Sequence, residues 1–154
     1  MSKIGCDVWK RGMIGKPTME YYQSKIVPKK EQFYDGSLGS ALLFKARTLS
    51  LEVNRRTHRW NDTGSKKCDK CNLDVNESVF HFMAECPNYN QPRDKFMEKC
   101  INILGIERFR AITGRVDRGL KFFLGFEEGV PGQLMDNVKE FLEEAWMIRK
   151  LGNK

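Results

Sequence analysis

The sequence predicts a mostly α fold: a small helical domain with a knuckle of irregular chain embedded in it. Three observations predict this class. Apolar residues recur at near-helical spacing in two long stretches, Leu38, Ala41, Leu42, Leu49 and Val53, then Leu134, Val138, Phe141, Leu142, Ala145 and Trp146. Between them, the turn-forming cluster Asn61-Asp62-Thr63-Gly64-Ser65 runs almost directly into Cys68-Asp69-Lys70-Cys71, a pattern that belongs to a knuckle and not to a regular element. A chain of 154 residues, 40% apolar and 31% charged, can bury one core and is too apolar to stay disordered.

The first part, residues 1–36, reads as a basic aromatic arm. Trp9, Lys10, Arg11, Tyr21, Tyr22, Lys29, Lys30, Phe33 and Tyr34 mix ring and cation, while Gly12, Gly15, Pro17 and Pro28 break long elements. One short helix is expected, from Thr18 as N-cap to Lys25, with loop elsewhere. The second part, 37–105, holds a helix and the knuckle. Asp35-Gly36-Ser37 turns into an amphipathic helix expected from Leu38 to Arg56, with Lys45, Arg47, Arg55 and Arg56 largely off its apolar stripe. Asn76 is the expected cap of a short helix from Glu77 to Glu85, with Val79, Phe80 and Met83 on its apolar face and His81 upon it. After Cys86-Pro87, Pro92 suits the first turn of a helix ending near Gly105, with Phe96, Cys100 and Ile103 or Leu104 inward. The third part, 106–154, is read as a helical segment packing on the second. A short helix is expected from Asp117 to Leu124, then Gly129-Val130-Pro131-Gly132 as a break, then a final helix from Gln133 to Lys150.

Four side chains stand out chemically. Cys68-x2-Cys71-x9-His81-x4-Cys86 offers two thiols from one tight turn and an imidazole and thiol from a helix and its exit. Four such donors suit zinc, and a tetrahedron filled by protein leaves no open position for an activated water, so the expected role is structural. His58 is a reserve ligand, read instead as a surface or phosphate-facing residue. Segment 66–90 is too short for a core of its own, and metal would fold it.

No apolar run approaches the roughly 18 residues that span a bilayer, and the opening MSKIGCDVWKRG lacks a continuous apolar stretch. The expectation is an intracellular protein of nucleus or cytoplasm without membrane association. An odd count of five cysteines then favours metal ligation or burial over disulfides. The net charge of +7 lies entirely in one half: residues 1 to 67 carry 14 Lys or Arg against 6 Asp or Glu, and residues 68 to 154 carry 13 against 14. A basic face of this kind can meet phosphate, where released counterions supply affinity without reading sequence. Lys45, Arg47, Arg55, Arg56, His58, Arg59 and Trp60 are the candidate nucleic-acid contacts. Trp60, Phe82 and Tyr89 could each stack on unpaired bases or pack in the core.

The segments Leu42-Leu43-Phe44-Lys45-Ala46-Arg47-Thr48-Leu49, Asn54-Arg55-Arg56-Thr57-His58-Arg59-Trp60 and Glu77-Ser78-Val79-Phe80-His81-Phe82-Met83-Ala84-Glu85-Cys86-Pro87-Asn88-Tyr89 with Arg93 carry a resemblance. Around the four metal-ligand candidates they resemble the C-terminal region of non-LTR retrotransposon reverse transcriptases, over roughly residues 36–100. The resemblance implies a zinc-binding tail downstream of a polymerase, with Cys68, Cys71, His81 and Cys86 as ligands, that helps engage RNA or target DNA. It brings no catalytic residue. No Asp-Asp dipeptide occurs that could hold polymerase metals, and a Cys100 with His58 pair has no supporting motif, so no enzyme is expected. The interval between Cys71 and His81 also exceeds that of the short retroviral knuckle, so base reading by that knuckle's aromatics does not transfer. The reading is a zinc-stabilised nucleic-acid-binding module. The alternative is a protein-interaction adaptor, such as a host gene derived from a transposon remnant, docking through the basic arm or through Glu140, Glu143 and Glu144 on the last helix.

Overall fold

Helix α1, Lys3–Met13, opens the computed structural model, which describes residues 3–25, 30–58 and 64–152. Lys10 and Arg11 lie in its last turn, where cations meet the partial negative charge of the helix end. The 3₁₀ turns Pro17–Met19 and Tyr21–Ser24 follow. The expected helix from Thr18 to Lys25 is thus replaced by two tighter turns, and Lys16, not Thr18, precedes the first. Tertiary contacts decide this: Gln23 Nε2 donates to the Met13 carbonyl at 3.3 Å, and the rings of Tyr21 and Tyr22 stand edge-on to Phe126. Among the arm's described residues, Tyr21, Tyr22, Phe33 and Tyr34 all pack on the core.

Ser37 caps helix α2, Leu38–Arg47, by accepting the Ser40 N–H at 3.1 Å. The helix stops nine residues before its expected end at Arg56. Thr48 turns its hydroxyl back to the Phe44 carbonyl at 2.9 Å, Leu49 adopts a left-handed φ of 52°, and Ser50 N–H closes on the Lys45 carbonyl at 2.8 Å. Leu51 and Val53 are buried with exposed Glu52 between them, the in-out-in order of extended chain. Leu49 and Val53 fit a helical stripe by spacing, but Leu51 belongs to none. A four-residue helix α3, Asn54–Thr57, then carries Arg55 and Arg56.

Beyond the knuckle come a π turn, His81–Glu85, a 3₁₀ turn, Pro87–Tyr89, and helix α4, Asn90–Leu104, with Pro92 in its first turn as expected. Helix α5, Ile106–Thr113, is one the sequence reading passed over; its Phe109 and Ile112 are buried. Helices α6, Val116–Phe123, and α7, Gly132–Leu151, fall where periodicity places them. The described residues contain no strand, only one antiparallel bridge between Lys67 and Asn76. No helix among them is long and apolar enough to cross a membrane.

Helix α7 is the spine, with α2 and α4 packed along it. Gly39 permits the close approach of α2, since a Cβ there would sit 2.7 Å from Lys139 Cβ; its N–H donates to Glu143 Oε1 at 2.6 Å. Lys95 and Lys99 of α4 pair with Glu140 and Glu144 of α7. Glu140 and Glu144, read from the sequence as part of a docking face, thus meet cations of the protein's own α4 while staying partly exposed. One apolar cluster runs from Leu42 to Trp146 through all these elements, and Cys100 lies wholly inside it. Ring pairs such as Phe82 with Trp146 and Phe96 with Phe141 each add about 0.5–1.5 kcal/mol beyond area burial.

Candidate metal centre

The knuckle is built by a short antiparallel return. Cys68 N–H donates to the Val75 carbonyl at 2.8 Å and Glu77 N–H to the Lys66 carbonyl at 2.9 Å, and Asp74 takes the left-handed turn with φ 55°. This return leaves Cys68 and Cys71 on one tight loop. Asn76 is occupied by its bridge to Lys67, and Ser78 caps the following helical turn instead, its hydroxyl accepting His81 N–H at 3.0 Å.

His81 and Cys86 are five residues apart. In an α-helix that separation rotates two side chains about 140° apart. The π turn cures this, because Cys86 N–H bonds the His81 carbonyl at 2.8 Å and five residues then close roughly one turn. Both donors come to the same side. The widened turn leaves carbonyl groups in need of partners, and the buried guanidinium of Arg93 supplies them. It donates to Met83 O at 2.9 Å, Cys86 O at 2.9 Å and Phe82 O at 3.4 Å, and to Asn90 Oδ1 at 2.7 Å.

The result brings together every predicted ligand. The donor atoms of Cys68, Cys71, His81 and Cys86 all lie within 4.8 Å of one another, with Cys68 Sγ 3.9 Å from Cys86 Sγ and Cys71 Sγ 3.4 Å from His81 Nε2. No cysteine is in a disulfide among the described residues. Cys68, His81 and Cys86 are buried and Cys71 is half-buried. Burial pushes the Cys86 thiol up to about 12 and the Cys68 thiol upward too, and a cation beside these two groups would favour their thiolates. Four convergent soft or borderline donors fit a tetrahedral metal ion. The sequence reading missed the outer partner: the second imidazole nitrogen, Nδ1, lies 3.2 Å from Glu85 Oε2, a contact that leaves Nε2 free for a metal. Its signal was the four-residue spacing from His81.

A buried network ties this loop to both neighbours. Glu77, wholly buried, accepts Arg149 Nε and Nη2 at 2.8 Å each and Asn54 N–H at 2.7 Å; Asn54 Nδ2 reaches Lys67 O at 2.7 Å. Arg55 N–H donates to the Glu77 carbonyl at 3.1 Å. The knuckle is thereby fastened to α3 and to the end of α7.

The predicted phosphate contacts divide. Arg55 is exposed, Arg56 and His58 are half-exposed, and Lys45 faces Glu52 at 3.4 Å. Arg59 and Trp60 lie outside the described residues. Arg47 is a correction: it is fully buried, bonded to Glu31 and to Tyr34 Oη, with its guanidinium 4.4 to 5.8 Å from the ring centres of Tyr22, Phe33, Tyr34 and Phe126. It cannot reach a phosphate. The aromatic arm folds over it, which helical spacing around α2 gives no sign of. Phe82 and Tyr89 also resolve to the core, ring against ring at 4.8 Å, and are no platform for a base. Cys100, buried and with its thiol raised to about 12 by that burial, has the surroundings of an inert core group.

No family model matches the chain, and comparison with curated proteins and with solved structures likewise gives no match.

Proposed function

We propose that the centre holds one structural zinc ion and that the module it stabilises binds nucleic acid through the basic surface of α3 and the arm. A zinc tetrahedron with thiolates near 2.3 Å and imidazole near 2.05 Å has sulfur–sulfur edges of about 3.8 Å and sulfur–nitrogen edges of about 3.6 Å. The 3.9 Å and 3.4 Å separations lie close to those values, and the widest spread of 4.8 Å asks for about 1 Å of closure around an ion. All four positions are filled by protein, which supports a structural and not a catalytic ion.

The observation that carries the binding reading is the attachment of α3 to the knuckle. Arg55 and Arg56 sit on a four-residue helix, too short to persist alone, which is held by Glu77 through the Asn54 and Arg55 amides. Metal would therefore set the place of these cations. The charge excess of residues 1 to 67 and the motif resemblance to retrotransposon reverse transcriptase C-terminal regions support the same reading. Salt-dependent phosphate contact is the expected mode.

Metal analysis of protein purified without chelator should find one zinc per chain, lost in Cys71→Ser. Equal metal in both proteins removes the site. For binding, a salt titration with mixed-sequence RNA and DNA should give affinity that falls with salt, and replacing Arg55 and Arg56 by Gln should reduce the log–log slope by about one each. Absence of binding at low salt overturns the nucleic-acid reading.

A further inference from the structure

The Pro17–Met19 turn, helix α3 and the first residues of the metal-bearing helical turn enclose a groove of about 190 Å³. Tyr21 and Phe80, both half-buried, line it with Leu49, Val53 and Val79; Arg55, Ser78 and Glu20 contribute polar groups. Its apolar lining includes Leu49, the left-handed residue at the end of α2, a conformation that favours glycine. A Leu there places an apolar side chain against the groove at the cost of backbone strain, and strain of this kind gathers at ligand clamps. The groove is not an isolated dent. Ser78 caps the turn that presents His81, and Phe80 immediately precedes His81, so the metal centre sets this wall of the groove.

We propose that this groove receives one unpaired nucleobase of a single strand. The proposal rests on the nucleic-acid reading above and adds a subsite to it. A base has a flat apolar face and a polar edge, and the groove offers the matching partners: Tyr21 and Phe80 for the face, and the Ser78 hydroxyl and Glu20 carboxylate for the edge. Glu20 repels phosphate and accepts exocyclic amine N–H groups, which favours a base over backbone at that lip. Exposed Arg55 meets the adjoining phosphate. A paired base cannot enter, because its edge is already engaged and its face is stacked, so the groove discriminates single strands from duplexes.

Fluorescence anisotropy with the full chain loaded with zinc tests this using a mixed-sequence 12-mer as single-stranded RNA, as single-stranded DNA, as duplex and as an abasic strand of equal charge. Either single strand, or both, should bind at least about fivefold more tightly than the duplex and the abasic strand, the lower end of what base–aromatic stacking supplies. Tyr21→Leu should abolish that preference while leaving duplex affinity in place; Ser78→Ala, which keeps the volume, should weaken it. Zinc content and circular dichroism report whether each variant is folded. Equal affinity for all four probes, or a preference unchanged in folded Tyr21→Leu, overturns the base subsite and leaves phosphate binding intact. No binding to any probe overturns both. The RNA and DNA arms identify which strand supplies the base.

Discussion

Glu85 is not among the four convergent donors, yet it touches one of them. Its carboxylate faces His81 Nδ1 at 3.2 Å, which favours the tautomer with Nε2 available and steadies the ring. Because Glu85 is on the exposed side of the turn, Glu85→Ala should fold and lose about 10–100-fold in metal affinity, measured by competition with a chromophoric chelator. Unchanged affinity would remove the carboxylate from the centre. Arg47 and Glu31 make the second residue-scale case. Burial pushes the Glu31 carboxyl up, but hydrogen bonds from Arg47 and Lys25 outweigh it and hold the group below its ordinary range. A carboxyl whose folded value is depressed contributes stability that is complete above its unfolded value, about 4.3, and is lost as pH falls through the folded value. Glu31→Gln should therefore cost about 3 kcal/mol near pH 7, and its deficit should shrink below about pH 4. Urea midpoints of both proteins across that range check it, since acid release of metal is common to the two. A deficit independent of pH contradicts the ion-pair origin.

At the scale of elements, the π turn is the decisive one. Inserting one alanine between Met83 and Ala84 would rotate Cys86 by roughly 100° relative to His81 and carry it off the shared side. The inserted protein should bind well under one metal per chain, with Arg93 losing its carbonyl partners; full stoichiometry in elemental analysis would show that the turn's geometry is dispensable. This element also marks how far the sequence could be read. Cys68, Cys71, His81 and Cys86 were legible as a set because donor types and intervals survive any choice of backbone, whereas the π form, the Ser78 cap and the Arg93 contacts were not. Those depend on which carbonyls lack partners, a property of the folded turn. The premature end of α2 is similar: Leu49 and Val53 continue the helical stripe in spacing, and only the left-handed turn at Leu49 reveals the change of direction.

Across the whole molecule, Glu77 and Arg149 join parts of the chain 72 residues apart. Both atoms of the bidentate pair lie in an environment where either charge alone is costly: Glu77 is wholly buried and Arg149 nearly so at its side chain. Arg149→Met should destabilise by about 3–5 kcal/mol, and adding Glu77→Leu should restore part of it, because the unpaired carboxylate is then gone. Denaturant unfolding of the single and double variants measures the restoration; its absence would mean that packing and not charge carries the link. Through this pair the knuckle, α3 and α7 act as one body, so metal loss should be felt at the basic surface and not at the centre alone.

By itself the sequence determined the helical class, the positions of α4, α6 and α7, the burial of Cys100 and the set of four side chains that converge as candidate metal donors. These follow from local quantities: apolar period, turn residues and donor spacing act within a few residues of themselves. Only the tertiary structure decided that Arg47 is a core residue caged by the arm, that Phe82 and Tyr89 face inward, that the acidic residues of α7 pair with α4, and that Glu77 reaches Arg149. Each of those outcomes is set by which distant group occupies the other side of a side chain, and a charge or a ring has the same spacing in the chain whether it meets water or a partner.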